Sequence, residues 1–129
     1  MQMLTDSKAF SGFAVPDIAA AREFYEGKLG LKTSEENGLL TLHLAGDRPT
    51  IVYPKSDHEP ATYTVLNFPV ASVDAAVDHL AAAGVQMEHY GPDLGQDEKG
   101  IARDPRGPVI AWFKDPAGNI LSVLEGSPD

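Results

Sequence analysis

Cysteine is absent from all 129 residues. That excludes disulfides, thiolate metal sites and a cysteine nucleophile together. Basic charge is scarce as well: 10 Lys and Arg stand against 19 Asp and Glu, for a formal charge of −9. The nearest thing to a basic cluster, Lys99, Arg103 and Arg106, is interleaved with Asp97, Glu98 and Asp104. Such a chain repels a phosphate backbone, so nucleic acid is not an expected partner. No apolar run approaches the roughly 18 residues of a membrane span. The N-terminal MQMLTDSKAF has no basic segment leading into a long apolar one, as a secretory signal has. A cytoplasmic protein without a membrane partner is the expectation. Catalytic signatures are missing too. No Gly-x-Ser-x-Gly occurs, and none of His43, His58, His79 and His89 is spaced as a metal-binding pair. Gly91-Pro92-Asp93-Leu94-Gly95 lacks the strand before it and the helix after it that a phosphate-binding loop needs. It reads as a flexible loop placed to cover the mouth of a cleft.

What is present is a plan used twice. Residues 9–15 read as a strand, ended by Pro16, with Asp17 as a helix N-cap. Ile18, Ala21, Tyr25 and Leu29, with Phe24 beside them, form an apolar stripe at helical spacing, and Gly30 stops it. Strands follow at about 32–36, 39–45 and 50–54, with Asn37-Gly38 as a tight turn. The second half repeats the order: a strand at 64–70, Ser72 as N-cap, a helix through Val73, Ala76, Val77, Leu80 and Ala83, and Gly84 as its stop. Strands are expected at about 86–89, 101–105, 109–114 and 119–125. At an offset of 55, Phe13 falls on Phe68, Val15 on Val70, Asp17 on Ser72 and Ile18 on Val73. Neither half has the apolar surface to stand alone. The expectation is therefore one α+β domain over residues 1–129, with module one at about 8–54 and module two at about 62–125.

The segment Phe13-Ala14-Val15-Pro16-Asp17-Ile18, followed by Phe24-Tyr25 and Leu29-Gly30-Leu31, resembles the opening of a vicinal-oxygen-chelate module. Asp115-Pro116-Ala117-Gly118-Asn119 resembles the hairpin before the last strand of that superfamily of glyoxalases, bleomycin resistance proteins and extradiol dioxygenases. The resemblance covers about residues 8–125. It implies two βαβββ modules forming an open, barrel-like mixed sheet with a concave cleft, and a homodimer. It also implies metal ligands on the first and last strands of a module, where this chain carries Phe10, Val65 and Ser122. Phe and Val donate no lone pair, and a neutral Ser hydroxyl is a poor ligand for Zn²⁺ or Mn²⁺. No metal and no cofactor are expected.

Strand alternation then sorts the cleft. Leu40, Leu42 and Leu44 suit the helix side, which turns Thr41 and His43 to the concave face. Phe10 and Gly12 join them from the first strand, Tyr63, Val65 and Asn67 from the fifth, and Ile120, Ser122 and Leu124 from the last. Tyr53 and Trp112 each adjoin a bulky residue of the opposite phase. The candidate ligand-binding residues are Phe10, Thr41, His43, Tyr53, Tyr63, Val65, Asn67, Trp112 and Ser122. Such a lining suits a small, partly aromatic molecule, as in the resistance proteins. His43 reads equally as a structural histidine, and Tyr63 and Trp112 as core or interface residues. Two other readings stay open: a metal-dependent lyase or dioxygenase, and a non-catalytic interaction protein.

Overall fold

The computed structural model describes residues 4–126. Strand β1 (Ser11–Val15) leads into α1 (Ile18–Arg22), whose N-cap Asp17 accepts a hydrogen bond from the Ala20 amide at 3.2 Å. The helix does not continue as a regular α-helix. Over Glu23–Lys28 it widens into a π-turn, with the Leu29 amide reaching back five residues to the Phe24 carbonyl at 3.0 Å. The wider turn allows the neighbours Phe24 and Tyr25 both to face the core, their rings edge to face with centroids 5.1 Å apart.

β2 (Lys32–Glu36), β3 (Leu39–Leu44) and β4 (Arg48–Pro54) complete the first module in the order β1-β4-β3-β2, with β1 parallel to β4. Asn37 and Gly38 both have positive φ, 54° and 80°, the conformation that a two-residue hairpin of this twist requires. β1 runs close against β4: a Cβ on Gly12 would sit 2.8 Å from the Ile51 carbonyl oxygen, so only glycine fits there.

The second module carries β5 (Thr64–Val70), α2 (Val73–Ala82), β6 (Ile110–Lys114) and β7 (Ile120–Glu125). Ser72 caps α2 by accepting from the Ala75 amide at 3.1 Å, and the Val85 amide closes the far end on the Leu80 carbonyl at 2.9 Å. The sheet order is β5-β7-β6, with β5 parallel to β7, which repeats β1-β4-β3 of the first module.

The counterpart of β2 is reduced to a remnant, and the strands expected at 86–89 and 101–105 do not form. Only Met87 bridges to Phe113 and Ala102 to Ile110, with the Glu88 amide on the Trp112 carbonyl at 2.8 Å. The reason is a side chain. Gln96 accepts from the Tyr90 amide and donates to the Glu88 and Gly100 carbonyls, which occupies the groups a continuing ladder would use. Asp97 then accepts from the Lys99 and Ile101 amides and holds the turn that brings Ala102 to β6. Arg103 adds an ion pair to Asp74 of α2 at 2.9 Å and holds that carboxyl below its usual range. The segment from Gln96 to Arg103, whose last residues were expected in a strand at 101–105, is thus held by side chains in place of a ladder.

The result is an α+β fold of two open sheets, not closed into a barrel. The helix-facing sides of both sheets and both helices share one core, in which Leu40, Leu42 and Val52 meet Tyr25, Val77, Phe113 and Leu121. Among the described residues no helix is long and apolar enough to cross a membrane.

The modules are joined by a buried polar cluster. The Tyr25 hydroxyl donates to Asp115 Oδ2 at 2.6 Å, and Asn119 Nδ2 donates to the same oxygen at 3.0 Å and to the Ala14 carbonyl at 2.9 Å. The Ala117 and Asn119 amides fill Asp115 Oδ1, each at 2.9 Å. Burial, then the Asp115 charge and the hydrogen bond to it, raise the Tyr25 pKa far above its usual value. Replacing Tyr25 by Phe removes one donor from a buried carboxylate. We expect a loss of about 1–3 kcal/mol in denaturant melts; an unchanged melt would mean that the cluster carries no stability.

Candidate functional site

In the first sheet, strand alternation separates a buried helix side from an open face. In β3, Leu40 and Leu42 are fully buried, Leu44 is half-buried and His43 is exposed. In β4, Val52 is buried and Tyr53 is 42 % exposed. Cross-strand pairing sets Thr41 beside Ile51 and Ile51 beside Gly12, so these three form one row across the open face. His43 lies opposite Pro49 and Lys32, and its Nε2 is 2.8 Å from the Ser34 hydroxyl on β2. Its polar need is met within the first sheet.

The fifth strand departs from simple alternation. Thr64 pairs with Ile120 but Leu66 with Leu121, so Val65 is the extra residue of a bulge, and Tyr63 precedes the strand. Tyr63, Val65 and Asn67 therefore do not share one face by period. The bulge aligns Asn67 with Ser122, whose buried hydroxyl donates to Asn67 Oδ1 at 2.5 Å. Trp112 lies across β7 from Ser122 and stacks edge to face on Tyr90 at 5.5 Å.

The nine candidates divide into groups. Tyr53, Tyr63 and Val65 line one cavity of about 340 Å³ between the modules, with Gly12 and Asn119. Tyr63 is 69 % exposed there, so its ring is a wall and not core. Phe10, 64 % exposed, lines a different concavity with Lys8, Arg48 and Leu66. Asn67, Trp112 and Ser122 form a patch on the second sheet, and Thr41 and His43 lie on the open face of the first.

His58 lies in the linker between β4 and β5. It also lines the cavity of about 340 Å³, and its Nε2 is buried without a hydrogen-bond partner. No periodic pattern marks a residue in a linker, so nothing in the sequence singled it out. The linker is held down by the Lys55 amide on the Val15 carbonyl at 2.9 Å and by the exposed Lys55–Asp57 pair at 2.6 Å.

The donor set does not fit the metal that the resemblance implies. The exposed Phe10 ring and Val65 in its bulge offer no lone pair, and the Ser122 hydroxyl is committed to Asn67. Among the described residues no three His, Asp or Glu side chains lie close enough together to hold an ion.

Two βα-sheet modules around one core, each with an open face, define the class: a paired-module α+β fold with room for small ligands on its concave side. The chain belongs to the Glyoxalase/Bleomycin resistance protein/Dioxygenase superfamily, whose family model matches residues 9–123. Solved structures agree in fold. A superfamily member from Sphaerobacter thermophilus is 22% identical with a TM-score of 0.72, covering 95% of this chain and 100% of its own. The fosfomycin resistance protein FosX from Listeria monocytogenes is 16% identical with a TM-score of 0.71, covering 95% and 93%. Lactoylglutathione lyase from Agrobacterium tumefaciens is 21% identical with a TM-score of 0.66, covering 92% of each chain. Among curated proteins, none matches the sequence.

The phase of β3 has a direct consequence. Leu42→Ala should cost about 2–5 kcal/mol through lost burial and the cavity left behind. His43→Ala, which gives up one exposed hydrogen bond, should cost less than about 1 kcal/mol. Paired denaturant melts check this, and equal losses would mean that His43 is a core residue.

Proposed function

We propose that this chain binds a small, partly aromatic molecule without using a metal ion, in the manner of a resistance protein and not of a lyase. One observation carries the reading: Tyr53 and Val65, from the two modules, line a single cavity with Tyr63 at its edge. Aromatic walls with a few polar groups are the usual make-up of small-molecule sites. His58, Asn119 and the rim residues Lys55, Asp57 and Glu59 supply the polar groups. The misfit of Phe10, Val65 and Ser122 to a metal supports binding over Lewis-acid chemistry.

The same reading makes the chain one domain built from modules at about 8–54 and 62–125. It functions in the cytoplasm and pairs with a second copy. The open faces and the free edges of β5 and β2 are the surfaces such pairing would cover.

Four measurements test the proposal. Mass spectrometry of small molecules that co-purify identifies the ligand. Tyr53→Ala and Tyr63→Ala should each weaken its binding by about ten-fold, on the order of 1.4 kcal/mol, with melts close to the parent. Titration with Zn²⁺, Mn²⁺, Ni²⁺ and Fe²⁺, on protein purified without a nickel column, should show no tight stoichiometric site. One tight equivalent per chain, or turnover of a hemithioacetal or catechol abolished by chelator, would overturn the metal-free reading. Light scattering should report twice the chain mass, and a monomer at high micromolar concentration would count against pairing.

A further inference from the structure

The chain has three asparagines, at 37, 67 and 119, and the fold restrains two of them. Asn119 is buried, its Nδ2 donates to the Ala14 carbonyl and to Asp115, and β-branched Ile120 follows it. Asn67 lies inside β5, its Oδ1 accepts from the Ser122 hydroxyl, and Phe68 follows it. Asn37 has none of these restraints. It is exposed in the turn between β2 and β3, and among the described residues its side chain makes no hydrogen bond. Its successor is Gly38, and nothing lies within 4 Å of where a Cβ on that glycine would stand.

That setting favours one reaction. The backbone nitrogen of Gly38, with no side chain to shield it, can attack the Asn37 side-chain carbonyl carbon. A C–N bond forms, a five-membered succinimide closes, and the side-chain nitrogen leaves as ammonia. Water then opens the ring at either carbonyl, which gives aspartate or isoaspartate. The attack requires the turn to open briefly, and β2 is an edge strand paired only with β3. Opening there costs less than opening an interior strand. Asn37 is also held at a φ of 54°, a region that residues other than glycine enter at a cost. We propose that Asn37 is a site of spontaneous deamidation, and that isoaspartate formed there loosens β2. Isoaspartate routes the main chain through the side-chain carbon and adds an atom to a turn that has room for two residues between Glu36 and Leu39. The product also places a new carboxylate beside Glu35 and Glu36, in a chain already at −9. Ser34, which meets His43 at 2.8 Å, belongs to the strand that is loosened. This inference does not depend on the proposed ligand site.

The full chain, aged in warm and mildly alkaline buffer, is mapped by peptide mass spectrometry at all three asparagines. Asn37 should convert at least about ten-fold faster than Asn67 or Asn119, equivalent to about 1.4 kcal/mol of barrier. Isoaspartate should be among the products. Hydrogen exchange on the aged protein should show protection lost along β2 while β1 and β4 keep theirs. Asn37→Gly retains a turn that Gly-Gly fills as Asn-Gly does. It should age without the new acidic species and keep β2 protected. Three results would overturn the proposal. Asn37 could survive as long as the other two asparagines, or the acidic species could form equally in Asn37→Gly. The third is an aged parent chain that contains isoaspartate at position 37 and still protects β2.

Discussion

The Asp115 carboxylate lies where the two modules meet, and it can be buried there because four donors converge on its two oxygens. Two of the donors are amides of its own turn, so the hairpin before β7 is shaped around the charge. The other two are the Tyr25 hydroxyl, brought by the π-turn of the first module, and the Asn119 amide, which also holds the Ala14 carbonyl of β1. A carboxylate taken out of water with one of these missing is expensive. Arrangements that separate the modules, or slide β1 along the turn, are therefore disfavoured by several kilocalories. The cluster fixes how the modules meet more than it adds net stability, since a well-packed apolar group would avoid the desolvation altogether. This also gives the Asp-Pro-Ala-Gly-Asn segment a physical meaning: its Asp and Asn are the two halves of the clasp.

Much of the fold was legible because its signals are local. Asp17 and Ser72 cap helices as their side chains predict, Asn37-Gly38 turns a hairpin, and Leu40 and Leu42 alternate into the core. The misses all involve competition for backbone hydrogen bonds that no local pattern reveals. Gln96 takes the groups that a strand at 86–89 needed. The bulge at Val65 adds a residue to β5, which moves Tyr63 and Val65 off the alternation that otherwise orders the strand. The π-turn takes an apolar stripe that reads as plain α-helix and widens it so that Phe24 and Tyr25 both reach the core.

The candidate site was legible only in part, for a related reason. Alternation tells which face of a sheet a residue occupies, as with Leu40 and Leu42 in the core and His43 exposed, but it left Tyr53 open because a bulky residue adjoins it on the opposite phase. It does not tell which residues of two different sheets come together. Tyr53 and Val65 meet in one cavity, whereas Phe10 lines another and His43 turns to Ser34. His58 reaches the cavity through a linker held down on Val15, a placement set by the module junction and not by any periodicity.

The chemistry differs on the two sides of the sheets. The open-face cavity has Lys55, Asp57 and Glu59 in its rim, and the one cation there is already paired with Asp57 at 2.6 Å. With a chain charge of −9 around it, that rim sits in a negative potential. The effect should weaken as salt rises, because the rim charges are exposed and screened within about 8–10 Å at ordinary ionic strength. The concavity on the helix side of the second sheet has no Asp, Glu, Lys or Arg in its lining. The Asp115 cluster fixes how the two modules meet, while the shared apolar core, Leu80, Phe113 and Val123 included, supplies the burial that holds them together.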